Sequence, residues 1–189
     1  MAERLHQLGF NDQFEIVSPL DVTPAGFRGL QFPRRRIEEV VAPATDLGRF
    51  VRQLSEPVWA TSPQEAAHYL LTHIYTPFDQ FDQEETWVLL LNTKNKITHK
   101  VMVYRGTLNA AYIRVAEIFK AAVQVNAAGL IMSHNHPSGD PTPSPEDVQV
   151  TRQIQEAAQV LNITFEDHII VGENRWVSLR ERGLGFDKF

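Results

Sequence analysis

The stretch "SHNHPSGDPTPSPED", residues 133–147, decides how this chain is read. It holds two histidines, four prolines, one glycine, three carboxylates and four hydroxyls. Just before it, "AAGLIMS" (127–133) is an apolar run of strand length, so a buried strand is expected to feed straight into the loop. At its end, Ser144-Pro145-Glu146-Asp147 supplies an N-cap, a proline at the first helical position and an acid at the third. That is a helix start, and the helix is expected to reach about Leu161. His134 and His136 stand two apart at the strand end, and side chains two apart on a strand point the same way. The segment Pro137–Pro143 carries three prolines, which restrict φ and lower the entropy lost when a loop is fixed in place. Such a loop can return the helix start, with Asp147 in its first turn, to the two imidazoles. Two histidine nitrogens and one carboxylate, with a fourth position left for water, make a catalytic zinc site. Plainer readings stand beside this one. The histidines can be a loop pair satisfied by backbone, and Ser144 with Asp147 a capping pair without chemistry. An Asp bound to zinc is not expected to close the cap well.

Working outward, Ser62-Pro63-Gln64-Glu65 is a second capping box, followed by Ala66, Ala67, Leu70, Leu71 and Ile74 at helical spacing. This helix is expected to run to about Tyr75, before Pro77. "TWVLLLN" (86–92) and "ITHKVMVY" (97–104), joined by "TKNK", read as a hairpin. "VAEIFKAAVQV" (115–125) places Val115, Ile118, Phe119, Ala122 and Val123 on one helical face. "EDHIIVG" and "RWVSLRE" read as two final strands. This order of elements suggests an α/β sandwich around a mixed sheet. Residues 1–60, with Pro19, Pro24, Pro33, Pro43 and Pro57 between short apolar runs, read as an N-terminal extension of unclear structure, and residues 61–189 as the domain.

Composition narrows the function. The chain of 189 residues is 43% hydrophobic and 22% charged, which is globular. A net charge of -5 lacks the basic footprint of a nucleic-acid binder, and Arg34–Arg36 is followed at once by Glu38 and Glu39, as on a solvated face. There is no cysteine, so a transition metal must rely on histidine and carboxylate. No apolar run has the length of a signal peptide or a membrane span, and a cytoplasmic protein is expected.

The spacing His134-x-His136-x7-Ser144-x2-Asp147, with a glutamate before a buried strand upstream, resembles the JAMM motif of the MPN/JAB-domain metalloproteases. "SHNHPSGDPTPSPED", "GTLN" (106–109), "AEIFKAA" (116–122), "DHIIVG" (167–172) and "VSLRERG" (177–183) are similar, in order and spacing, to the bacterial RadC family. The likeness covers about residues 60–186. It implies a JAB/MPN-type, cytidine-deaminase-like fold: a curved mixed sheet flanked by helices, with one zinc per chain. It also implies His134, His136 and Asp147 as ligands and Ser144 as a donor to the oxyanion. Counting back from "LLLNTKN" puts the family's general base at Glu84, with Glu85 a rival one position away. His168 reads as a core or supporting histidine rather than a further ligand, and Glu117 as structural. Ser138 and Asn135 read as bonding the loop backbone. RadC proteins commonly carry an N-terminal helix-hairpin-helix region; residues 1–60 show no glycine hairpin of that kind.

The activity implied is zinc-dependent hydrolysis of a peptide or isopeptide bond, with water activated at the zinc and a glutamate as general base. The alternative is a non-catalytic RadC-type module that binds DNA or a partner protein in DNA repair. A metal-dependent nuclease fits less well, since no acidic cluster supplies a second metal. Manganese or iron would also suit two histidines and one carboxylate.

Overall fold

Strand β2, Glu84–Leu91, shows how the layers form. Its side chains alternate between two apolar clusters: Val88 and Leu90 enter one, Leu89 and Leu91 the other. A strand buried on both faces loses the polar–apolar alternation of a surface strand and reads as a continuous run. The computed structural model describes residues 51–106 and 113–186. The N-terminal extension up to residue 50, with Arg34–Arg36, and residues 107–109 of "GTLN" lie outside the described residues.

The other elements are β1 (Val51–Trp59), α1 (Pro63–His73), a short 3-10 turn (Phe78–Gln80), β3 (Lys96–Gly106), α2 (Val115–Gln124), β4 (Gly129–Asn135), α3 (Pro145–Leu161), β5 (Thr164–Gly172) and β6 (Arg175–Ser178). The six strands form one sheet in the order β1-β3-β2-β4-β5-β6. Among the described residues only β4 and β5 pair in parallel, joined by the crossover through α3. The rest are antiparallel. This is the mixed sheet flanked by helices expected of the JAB/MPN fold.

One face of the sheet, carrying Val88, Leu90, Leu130 and Met132, packs on Ile118, Phe119 and Ala122 of α2 and on Val150 and Ile154 of α3. The other face, carrying Leu89, Leu91, Ile131, Ile169 and Val171, packs on Ala66, Ala67 and Leu70 of α1. Each wholly buried Leu, Ile or Met side chain contributes about 1.5–3 kcal/mol.

Some boundaries differ from expectation. Residues 51–59, grouped by sequence with the extension, form edge strand β1. The last strand stops at Ser178, whose Oγ donates to Asp167 Oδ2 at 2.6 Å, and the chain then enters a turn. At the start of α1, Ser62 Oγ accepts from Glu65 N, but the Glu65 carboxylate reaches back to Thr61 N and Oγ1, both at 2.8 Å. On α2 it is Ala121 that is buried, while Val123 is 58% exposed.

Candidate metal centre

The register across β2 and β4 sets the site. Thr86 pairs with His134 as Val88 pairs with Met132, so His134 sits on the α2/α3 face of the sheet. It is buried, 1% exposed. His136 lies just past the end of β4, where its N–H donates to Val171 O at 2.8 Å and so prolongs the parallel pairing. Its Nδ1 lies 2.8 Å from Asp140 O. A carbonyl only accepts, so Nδ1 carries the hydrogen and Nε2 of the neutral ring is a lone pair. The proline loop brings in the first turn of α3, and buried Asp147 arrives beside both rings.

Among the described residues, His134, His136 and Asp147 converge closely enough to hold a metal ion, with ligand atoms within 4.8 Å of one another. His134 Nε2 and His136 Nε2 are 3.0 Å apart. Asp147 Oδ1 is 3.2 Å from His134 Nε2, and Oδ2 is 3.6 Å from His136 Nε2. Ligand atoms on a tetrahedral ion with bonds of ~2.0–2.1 Å sit about 3.3 Å apart. The spacing and the donor types therefore fit one ion without large movement.

Asp147 divides its two oxygens. Oδ2 accepts from Ser144 N and Ser144 Oγ, both at 2.8 Å, and Asp147 N donates to Ser144 Oγ at 3.1 Å. The capping box is complete while Oδ1 faces His134. The cap is thus closed through Oδ2 while Oδ1 stays directed at His134, so in this structure one carboxylate meets both the helix start and the two imidazoles.

Burial works against an ionised Asp147, but the adjoining imidazoles of His134 and His136 and the Ser144 N–H hold its carboxyl well below the usual carboxylate range. Burial pushes His136 down, yet Asp147 and the Asp140 carbonyl hold it above the ordinary histidine value, with Glu84 adding its charge.

A cleft of about 460 Å³ opens on the site, lined by Glu84, His136, Pro137, Ser138, Ser144, Glu146 and Asp147. Glu84 stands two residues before Thr86, so alternation along β2 sends it to the face that carries His134. Glu85 points the other way. Its Oε2 accepts from Trp87 Nε1 at 2.9 Å, and its Oε1 is 3.4 Å from Arg105 Nε. Ser138 Oγ accepts from Asp140 N at 3.4 Å, within the loop as expected. Asn135 does not serve the loop: it ends β4 and holds the start of β2, accepting from Glu85 N and donating to Gln83 O. Glu117 lies near Arg114, 3.9 Å away on the helix surface.

His168 does not join the trio but touches it, with Nε2 2.8 Å from His134 Nδ1. Its Nδ1 lies 2.7 Å from Thr151 Oγ1, which is 2.6 Å from Asp147 O. Burial, reinforced by the charge of His134, holds His168 well below the usual histidine value. Thr151 was not anticipated. Its position four residues after Asp147 on one helix face was the available signal.

Relatives share this segment. A profile of the RadC-like JAB domain matches residues 60–184. The chain is 41% identical over 184 residues to a UPF0758 protein of Chloroflexus aurantiacus, covering 97% of this chain and 69% of that one. It is 47% identical over 127 residues to a UPF0758 protein of Roseiflexus castenholzii, covering 67% of this chain and 53% of the relative. A UPF0758 protein of Clostridium beijerinckii is 42% identical over 136 residues, covering 72% and 58%. The chain thus spans roughly half to two-thirds of these relatives' length. The matched region contains the trio, the cleft and strands β2 to β6, and the chain belongs to the RadC-like JAB domain family.

Proposed function

We propose that this chain is a zinc-dependent hydrolase of peptide or isopeptide bonds. The observation that carries the reading is Glu84: a carboxylate outside the ligand trio, lining the same cleft as His136, Ser144 and Asp147. A trio alone would serve a structural ion equally well. A carboxylate beside it and open to the cleft gives a place for proton transfer. Zinc bound to the trio would supply a water nucleophile usable at neutral pH and would polarise a carbonyl oxygen. The Glu84 carboxylate takes the proton of the attacking water and returns it to the departing amine nitrogen. Ser144 Oγ turns its hydrogen from Asp147 to the carbonyl oxygen as negative charge develops there. His134 and Asp147, both buried, keep their positions throughout.

Among the described residues no helix is long and apolar enough to cross a membrane. The net charge of -5 favours a protein substrate over nucleic acid. The test is metal content by elemental mass spectrometry for the native chain and His136→Ala, followed by cleavage assays on peptide and isopeptide substrates with Glu84→Gln. About one zinc per chain, lost in His136→Ala, and turnover lost in zinc-loaded Glu84→Gln are expected. A zinc-loaded native chain that cleaves nothing but binds DNA, with affinity falling steeply as salt rises, would transfer the reading to a binding module.

A further inference from the structure

His136 has its tautomer set by a backbone carbonyl, but His134 does not. Its second ring nitrogen meets another imidazole, His168 Nε2, at 2.8 Å. Which ring carries the hydrogen between them decides whether His134 presents a lone pair or an N–H to Asp147 and His136.

The hydrogens can be counted from Thr151. Its Oγ1 lies 2.6 Å from Asp147 O, and a carbonyl has no hydrogen to give. The one hydroxyl hydrogen of Thr151 is therefore spent on that contact. The 2.7 Å contact between Thr151 Oγ1 and His168 Nδ1 must then be donated by the imidazole. His168 is wholly buried, and its two ring nitrogens are taken by Thr151 and His134 rather than by a carboxylate. Such a setting disfavours a charged ring, so a His168 that is Nδ1–H has a bare Nε2. The contact with His134 is then donated by His134 Nδ1–H, which leaves His134 Nε2 bare and facing Asp147 Oδ1.

We propose that Thr151, acting through His168, fixes His134 in the one tautomer that can bind a metal ion. Thr151 and His168 are positioning residues. The proposal rests on reading the trio as a metal centre, but the tautomer is a property of the metal-free chain and is measured separately. Thr151 also belongs to the helix that carries Asp147, so one turn of α3 supplies a ligand and sets the tautomer of another. Removing the hydroxyl frees His168 to hold its hydrogen on Nε2. That hydrogen would then point at His134 Nδ1 and move the His134 hydrogen to Nε2, where it must be displaced before an ion can bind. Supporting partners of this kind change metal affinity by about 10–100-fold.

The experiment uses the 189-residue chain, stripped of metal by a chelator and held at alkaline pH. Imidazole nitrogen NMR reads the tautomers of His134 and His168, and competition against a chromophoric chelator reads zinc affinity, for the native chain, Thr151→Val and Thr151→Ser. Both rings are expected to be Nδ1–H in the native chain. Thr151→Val should show an Nε2–H population at His134 and bind zinc about 10–100-fold more weakly, while Thr151→Ser stays close to native in both. An Nε2–H on His168 in the native chain overturns the proposal, and so does a folded Thr151→Val with native tautomers and native zinc affinity. Should Thr151→Val fail to fold, the native tautomers decide alone. A native chain with both rings Nδ1–H that binds no zinc overturns the metal-centre reading and leaves the tautomer relay standing.

Discussion

Ser144 and Asp147 hold each other through three hydrogen bonds, and the arrangement aims Asp147 Oδ1 at His134 Nε2, 3.2 Å away. One residue pair therefore both starts helix α3 and places a candidate ligand. The two duties use different atoms, so substitutions should separate them.

Asp147→Asn keeps a side-chain oxygen able to accept from Ser144 N but loses the charge that faces the imidazoles. Zinc content should fall close to zero, with the melting temperature of the metal-free chain lowered by no more than a few degrees. Ser144→Ala removes the N-cap, at a cost of about 0.5–2 kcal/mol, yet leaves all three ligands. It should retain zinc and melt several degrees lower. Elemental analysis and thermal unfolding of the metal-free chains check both. Equal zinc loss in the two variants would mean that the cap and the site cannot be separated.

Glu84 and Glu85 are neighbours with opposite surroundings. Glu85 is tied to Trp87 and Arg105 on the α1 side of the sheet, away from the cleft. Glu85→Gln should keep zinc and turnover, and lose about 0.5–1.5 kcal/mol through its weakened contacts. The Arg105 pair adds little, because the arginine is half exposed. Cleavage rates and urea unfolding, set beside those of Glu84→Gln, read this directly. Loss of turnover in Glu85→Gln but not in Glu84→Gln would reverse the assignment.

The capping signals at Ser62 and Ser144 and the apolar runs of β2 and β4 were legible because each rests on local chemistry. Side-chain oxygens at a helix start and buried strands leave a mark within ten residues. Edge strand β1 left none. It carries Pro57, most of its residues are exposed, and its pairing with β3 is broken between Gln53 and Val58. Without a buried face, a strand has no period to read. The trio was legible through spacing and resemblance. The contact between His168 and His134 was not, because it depends on how β5 lies beside β4. An irregularity after Leu130 places His168 beside Met132 and Ile170 beside His134, an offset that strand alternation cannot supply.

His168 gives the metal-free chain a pH dependence whose sign follows from its burial. Its folded value is held well below the ordinary 6.5, so above that pH both folded and unfolded states are neutral and the group contributes nothing. Below it the unfolded chain takes up a proton that the folded chain refuses, and stability falls by up to about 1.4 kcal/mol per pH unit. His99, also lowered by burial, acts in the same direction. His136 is raised, so its contribution is fully present below 6.5 and is lost at higher pH; it does not offset the fall. Asp147 is lowered, and its contribution is lost only as pH falls below the ordinary carboxylate range. Urea unfolding of chelator-treated chain should therefore show, between about pH 6.5 and 5, a steeper fall of stability in the native chain than in His168→Gln. An unchanged slope in the variant would place the effect elsewhere.

Gly172 is the point where the proline loop rests on β5. A Cβ added there would lie 2.3 Å from Gly139 O, 2.8 Å from Gly139 C and 2.8 Å from Pro141 Cδ. The obstacle is mostly backbone, so the loop itself must give way. Gly139 cannot easily adjust, because its φ of +80° and the bond from Glu173 N to its carbonyl oxygen hold the turn. Asp140, which fixes His136 through its carbonyl, comes next in the chain. Gly172→Ala should thus move His136 relative to His134 while leaving every ligand in place. The expected result is a stability loss of about 1–3 kcal/mol from overpacking, and zinc bound more weakly than in the native chain. The Ala variant of the exposed Gly183, where an added Cβ meets nothing within 4 Å, is the control for a glycine of positive φ far from any clash. It should lose some stability through backbone strain but keep native zinc affinity, measured by the same chelator competition. Equal zinc affinity in Gly172→Ala and the native chain would show that the loop tolerates displacement without disturbing His136.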